Sequence, residues 1–316
     1  MEHPILMKGI DVYSGTGQID WEKLKASGIE FAIIRVAWRG YGASGKLQAD
    51  SRFEYNVKEA IRVGMHIGAY VFSQATSDKE ADEEATLAVK LLEPYRNHID
   101  LPVVFDYEGY GTPSRRVYGS TKEQRTRYCK LFHEITGAKG YKAMLYGSQA
   151  HIKNTYDCKS FDCPLWVAKY RSTKTPIDDE KYFPDLKDQE LNDRIAIWQY
   201  ASCGRSDAVP GRNLDLNNMY INLTQDLPVS AVCPYKMPTE AIKYSSLAYL
   251  NKNEGVSWIQ WHLTRLGYHL DIDGRYGKDT LAKVLQYQKD NDLTDCTCGT
   301  IGMRTIRHIY SAYYIE

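Results

Sequence analysis

Residues 101–108 read LPVVFDYE, and the chain then turns through Gly109, Tyr110 and Gly111. A run this apolar reads as a strand buried on both faces, yet it ends in two carboxylates separated by one tyrosine. A charge at the end of a core strand is costly unless it is paired, solvated or used. Alternation along a strand sends Asp106 and Glu108 to the same side, roughly 6–7 Å apart along the backbone, and Tyr107 to the other. In one reading Asp106 caps a turn and Glu108 points into water. In the other, one strand presents two acids to a single cavity, where neighbouring carboxylates push their pKa values apart and one keeps its proton. That second arrangement is what cleavage of a glycosidic bond requires.

The sequence on either side alternates strand-like runs with helical patterns. KGIDVYS (8–14) leads to IDWEKLKASG, FAIIRVAW (31–38) to SRFEYNVKEAIRVG, HIGAYVFS (66–73) to SDKEADEEATLAVKLLEPY, and LPVVFDYE to STKEQRTRYCKLFHEITGAKG. KAMLYGS (142–148), LWVAKY (165–170) and RIAIWQYAS (194–202) follow without long helices between them. Ala81, Ala85, Ala88 and Leu92 recur at helical spacing. Ser77 with Glu80, and Ser120 with Glu123, predict capping boxes. Such alternation implies parallel strands covered by helices. Neither GxGxxG after the first strand nor a P-loop is present, so a barrel is favoured over a nucleotide-binding sheet.

In such a barrel functional side chains gather at the carboxyl ends of strands. Besides Asp106 and Glu108, this rule picks out Asp11 in KGIDVYS and Asp215 in GRNLDLNN. Aromatics at or near strand ends, Tyr70, Tyr107, Trp166, Tyr170, Trp198 and Tyr200, are the candidate sugar platforms, because each joins an apolar face to a polar handle. The chain holds 25 tyrosines against 7 phenylalanines. No G-x-S-x-G elbow or HExxH is spelled out, and His66 and His133 read as packing or surface residues. The Asp271–Asp273 pair lacks the twelfth-position glutamate of a calcium loop and reads as a turn. Cys158 with Cys163, and Cys296 with Cys298, do not match zinc spacings, so the seven cysteines read as reduced thiols.

Forty Lys and Arg balance forty Asp and Glu in 316 residues, which argues against a nucleic-acid partner. No stretch reaches the roughly 18–20 apolar residues of a membrane helix. The first residues, MEHPILMKGIDVYS, lack the basic and apolar regions of a secretory signal, so synthesis in a cytoplasm is the expectation. Residues 223–253, with three prolines and no clear period, read as a linker. Beyond it, Val256, Ile259, Leu263 and Leu266 make one helical stripe, and Leu281, Val284 and Leu285 begin another. Gly274, Gly277 and Thr280 are echoed 25 residues later by Gly299, Gly302 and Thr305, two tight turns each leading into a helix.

The ordered set GIDVYSGTGQIDWEKLKASGIEFAIIRV, IGAYVFSQATS, LPVVFDYE, YKAMLYGS, LWVAKY and IWQYAS followed by LDLN resembles the glycoside hydrolase family 25 lysozymes, the N-acetylmuramidases found as phage endolysins and bacterial autolysins. The resemblance implies an α/β fold: an irregular TIM-like (β/α)5β3 barrel over residues 1–222. It implies Glu108 as proton donor, Asp106 as the acid that orients the substrate's 2-acetamido group or stabilises the intermediate, and Asp11 and Asp215 completing the cluster. The implied substrate is bacterial peptidoglycan, cut at the β-1,4 bond from N-acetylmuramic acid to N-acetylglucosamine, with no metal or organic cofactor. Release to the wall by lysis or a holin is implied too. Residues 254–316 resemble a small all-α, three-helix peptidoglycan-binding domain, with Cys298 where that family usually has aspartate. A wall-bound module raises the local concentration of bonds the barrel can reach. Two other readings stand beside this one: a non-catalytic glycan-binding protein on the same barrel, and a chitinase-like glycosidase. The second lacks its usual DxxDxDxE run, since Val104 stands two residues before Asp106.

Overall fold

Each of the seven apolar runs becomes a strand, and with an eighth from the LDLNNM stretch they close on themselves. The computed structural model describes residues 4–224, 233, 235–244, 251–268, 270–293 and 300–315, and the chain divides into two compact units, Met1–Val229 and Ser230–Glu316. In the first unit β1 (Met7–Val12), β2 (Phe31–Arg39), β4 (His66–Ser73), β5 (Val103–Tyr107), β6 (Ala143–Ser148), β7 (Leu165–Ala168) and β8 (Ile195–Gly204) run parallel to their neighbours in that order. β9 (Leu214–Met219) is antiparallel to both β8 and β1 and completes the ring. β3 (Leu47–Ala49) lies outside the ring as a hairpin on the end of β2.

Helices α1 (Trp21–Ala26), α2 (Phe53–Arg62), α3 (Asp78–Leu92) and α4 (Lys122–Gly137) cover the first strands, whereas α5 (Ile152–Thr155) and α6 (Gln189–Asn192) are single turns. This matches the expected barrel that is regular at first and helix-poor at its end. The strands are buried on both faces, as parallel strands must be: Val103, Val104 and Phe105 are fully enclosed, as are Phe31 to Ile34. Phe31, Ile33, Val104, Met144, Trp166, Ile197 and Met219 fill the barrel floor as one apolar cluster. Gly9 makes room for it, since a Cβ there would lie 2.4 Å from the Phe31 ring.

The α3 stripe of Ala81, Ala85, Ala88 and Leu92 is fully buried. Ser77 caps α3 by accepting from the Glu80 amide, but Glu80 turns its carboxylate to the Thr76 amide and hydroxyl. The α4 box sits one residue later than expected: Thr121 accepts from the Gln124 amide at 3.2 Å, and Gln124 accepts from the Thr121 amide at 2.8 Å. Ser120 is instead held by the Tyr107 hydroxyl and the Arg125 guanidinium. Arg39, at the end of β2, is buried against Glu84 of α3 (2.7 Å), while Ser73 of β4 donates to the same carboxyl at 2.6 Å. This knot welds two strand ends to one helix.

In the second unit α7 (Glu254–Leu263), α8 (Lys278–Asp290) and α9 (Met303–Ile315) are the three expected helices. Val256 through Leu263 are buried without a break, so α7 is a core helix rather than one with a single stripe. The repeat has a physical basis. Gln260 donates to the Thr280 hydroxyl at 2.9 Å, and Gln288 donates to the Thr305 hydroxyl at 3.0 Å. Each glutamine ties its helix to the start of the next. Asp273 is indeed a turn residue, accepting from the Arg275 amide. Gly299, Cys296 and Cys298 lie outside the described residues. The stretch expected as linker contributes structure: Ile242–Lys243 pair antiparallel with Thr300–Ile301, and Tyr235, Met237 and Ile242 pack on the helical core. Absence of a sequence period hides this, because irregular chain buries side chains as well as helices do.

Candidate active site

Strand alternation sets the site. Asp11 on β1 and Asp215 on β9 are direct cross-strand partners, and Asp106 and Glu108 leave β5 on one side. Gly109 follows with φ +86°, the left-handed turn that lets the chain bend away directly after Glu108. The Gln74 amide donates to the Glu108 carbonyl at 2.7 Å, so the Ser73–Glu84–Arg39 knot one residue back also fixes the backbone of the second acid.

Asp11 is held by a hydrogen-bond chain whose direction is unambiguous. The Trp166 indole can only donate, and does so to the Asn217 carbonyl oxygen at 2.8 Å. The Asn217 amide therefore donates to Asp11 Oδ2 at 2.8 Å, beside the Gln199 amide at 2.7 Å. The Gln199 oxygen accepts from the hydroxyls of Tyr146 (3.1 Å) and Tyr170 (2.6 Å). Even with two donors, burial and then the charge of Glu108 lift the Asp11 carboxyl to about 6. Asp215 is pushed up to about 8, by burial first and by Asp11 and Glu108 next.

Glu108 is raised by burial, against a hydrogen bond to Tyr146 and the charge of Arg115. Asp106 lies well above the carboxylate range through burial, with Glu108 and Asp11 adding repulsion and Arg35 opposing it. Its Oδ1 is buried and has no hydrogen-bond partner among the described residues. Arg35 itself is bound to buried Asp50 (2.7 Å) and stacks on Tyr13 at 4.5 Å. The four acids are thus buried together, linked by charge repulsion through Asp11 and Glu108, and cannot all be charged at once. Such a cluster can hold a proton ready for donation next to a carboxyl that has lost one.

The aromatics divide by strand face. Tyr70 and Trp166 pack edge to face in the barrel, the Tyr70 hydroxyl feels the charges of Asp11, Asp106 and Asp215, and Tyr170 reaches Gln199 at the rim. Tyr107, Trp198 and Tyr200 point the other way. Tyr107 donates to the Ala75 carbonyl, Trp198 donates to the Lys169 carbonyl, and Trp198 meets Phe183 and Tyr200 edge-on. Gln199, Asn217, Tyr146 and Arg35 were not among the residues picked from sequence. Period-two counting was the available signal: Asn217 follows Asp215 by two, and Gln199 sits between the two outward aromatics. At the mouth, Tyr41 lies edge-on to Phe72 with the Arg115 guanidinium 3.4 Å from its ring centre. Among the described residues no group of three or more His, Cys, Asp or Glu is placed to hold a metal ion. None of the described helices is long and apolar enough to cross a membrane.

Residues 10–209 match the model of the glycosyl hydrolases family 25, and residues 252–309 match that of a peptidoglycan binding domain. The autolytic lysozyme of Clostridium acetobutylicum is 26% identical over 172 residues, which cover 54% of this chain and 48% of that protein. Lysozyme M1 of Streptomyces globisporus is 25% identical over 209 residues, 65% of each. The matched region therefore spans about half to two thirds of the length of these curated relatives. The crystal structure of the bacterial lysozyme from Streptomyces coelicolor has the same fold, with a TM-score of 0.51 at 24% identity over 68% of this chain and 93% of that one.

Proposed function

Because the chain belongs to the glycosyl hydrolases family 25, we propose that it is a lysozyme of the N-acetylmuramidase type. It cleaves the β-1,4 bond between N-acetylmuramic acid and N-acetylglucosamine in bacterial peptidoglycan. Residues 1–222 are the catalytic barrel, and residues 254–316 hold the enzyme on the wall. The observation that carries this reading is the buried cluster of Asp11, Asp106, Glu108 and Asp215, linked by mutual repulsion and with every carboxyl raised.

Glu108 keeps its proton in the low-dielectric cleft and delivers it to the glycosidic oxygen as the C1–O bond breaks. The buried Asp106 Oδ1, which lacks a partner among the described residues, accepts the substrate's acetamido N–H. That hydrogen bond turns the acetamido carbonyl oxygen toward C1, where positive charge develops. Glu108, now a carboxylate, then takes a proton from the water that attacks C1, which completes hydrolysis and restores the starting state. Asp11, at about 6, is ionised at neutral pH and keeps the field negative where the sugar becomes cationic, while Asp215, at about 8, holds a proton beside it.

Glu108→Gln is the test. The variant keeps shape and hydrogen bonding but has no proton to give, so the folded protein loses about 10³-fold of its wall-lysing rate. Lysis at the parent rate would remove Glu108 from the acid role.

A further inference from the structure

A muramidase site built from four acids faces a difficulty, because its substrate is itself anionic. The muramic acid carries a lactyl carboxyl, free or extended into a peptide bearing further carboxylates, and these are repelled by the ionised member of the cluster, Asp11. The charge that offsets this lies at one end of the cleft. A groove of about 430 Å³ runs from Asp215 past Tyr13, Thr16, Ser202 and Asn213 to Arg205 and Arg212. Arg205 follows β8 and Arg212 precedes β9, so both stand on the hairpin that carries Asp215.

The other guanidiniums near the acids are engaged. Arg35 is paired with Asp50, and Arg115 lies on Tyr41. Arg205 and Arg212 make no ion pair among the described residues. Arg212 lies alongside the loop opposite: a Cβ built on Gly17, whose φ is +85°, would be in ordinary contact with Arg212 Cγ (3.7 Å) and Nε (3.8 Å). The groove wall between them is polar, with hydroxyl and amide groups that suit a carboxylate or a peptide backbone.

Building on the muramidase reading, we propose that Arg205 and Arg212 form a subsite for the carboxylates of the muramyl lactyl or stem-peptide substituent. Planar guanidiniums bind carboxylates through paired, charge-assisted hydrogen bonds. The subsite places a peptidoglycan chain so that its anionic arm lies beyond Asp215 and its sugar lies between Asp215 and Glu108. It selects carboxyl-bearing glycan over neutral amino-sugar polymers.

The test compares the full chain with its R205Q/R212Q variant, folding of each being checked by circular dichroism. Three substrates are used: intact peptidoglycan, peptidoglycan stripped of its peptides so that only lactyl carboxylates remain, and peptidoglycan whose carboxyls have been amidated with carbodiimide. KM for intact peptidoglycan rises about tenfold in the variant, and the difference disappears on the amidated polymer. Persistence of the difference on the stripped polymer assigns the contact to the lactyl carboxylate; its loss there assigns it to the peptide. Equal KM values for variant and parent on intact peptidoglycan overturn the subsite and leave the muramidase reading standing. If the parent releases no new reducing ends, the muramidase reading fails instead. In that case the affinities of parent and variant for soluble carboxyl-bearing glycan fragments decide the role of the arginines, and equal affinities overturn it.

Discussion

Replacing Asp215 by asparagine removes a carboxyl whose ionisation the folded barrel opposes, so it stabilises the protein in a defined pH range. In the unfolded chain this carboxyl titrates at its ordinary value of 3.8; in the fold it titrates at about 8, through burial and the neighbouring charges of Asp11 and Glu108. Between those values the folded protein retains a proton that the unfolded chain has released. Stability from this group is therefore fully present below about pH 4 and is lost as pH rises toward 8. At about 1.4 kcal/mol per tenfold change, the whole difference would reach an upper limit of ~6 kcal/mol. Water in the open groove beside Asp215 and proton sharing within the cluster reduce this to about 2 kcal/mol. The assay is urea unfolding of parent and Asp215→Asn from pH 4 to pH 9, followed by a signal from the barrel. The variant matches the parent near pH 4 and exceeds it by about 2 kcal/mol at pH 8.5. A pH-independent difference, or a variant less stable at pH 8.5, would refute the shared-cavity electrostatics.

Arg39→Met leaves Glu84 buried without its cation and already raised to about 7, so it destabilises the first unit by about 3 kcal/mol at pH 8. The loss is smaller at pH 5, where Glu84 is protonated, and thermal unfolding at the two pH values reads the difference. Gln260→Ala removes a buried amide that bonds Thr280, Asp273 and Gly274, costing the second unit about 2–3 kcal/mol. Sedimentation with purified walls then records weaker retention above that unit's lowered melting point, while hydrolysis of soluble glycan fragments continues.

Legibility in the sequence depends on the kind of signal each residue gives. The barrel was legible because a parallel strand buried on both faces is dominated by apolar residues, as the runs LPVVF (101–105) and FAII (31–34) are. The placing of Asp106 and Glu108 on one side of β5 was legible because period-two alternation sends residues two apart to the same face of a strand. Trp198 and Tyr200 were misdirected by their chemistry: as aromatics near a strand end they suggested sugar platforms, yet alternation gives the interior to Gln199. Asn217 and Gln199 carry only the period-two mark, and their common partner Asp11 emerges only when β9 and β8 are set beside β1. The α4 cap slipped by one residue because Ser120–Glu123 and Thr121–Gln124 satisfy the same pattern, and the Tyr107 and Arg125 bonds to Ser120 decide between them. In the second unit the glycine turns pointed to a repeat, but the glutamines that bind the two copies together are ordinary residues in a helix.

Product analysis on purified peptidoglycan tests the central claim most directly. Digests reduced with borohydride and separated by mass spectrometry should carry muramic acid at every new reducing end, and Glu108→Gln digests should carry almost none. New ends formed by N-acetylglucosamine, or no new ends from the parent protein, would contradict the account.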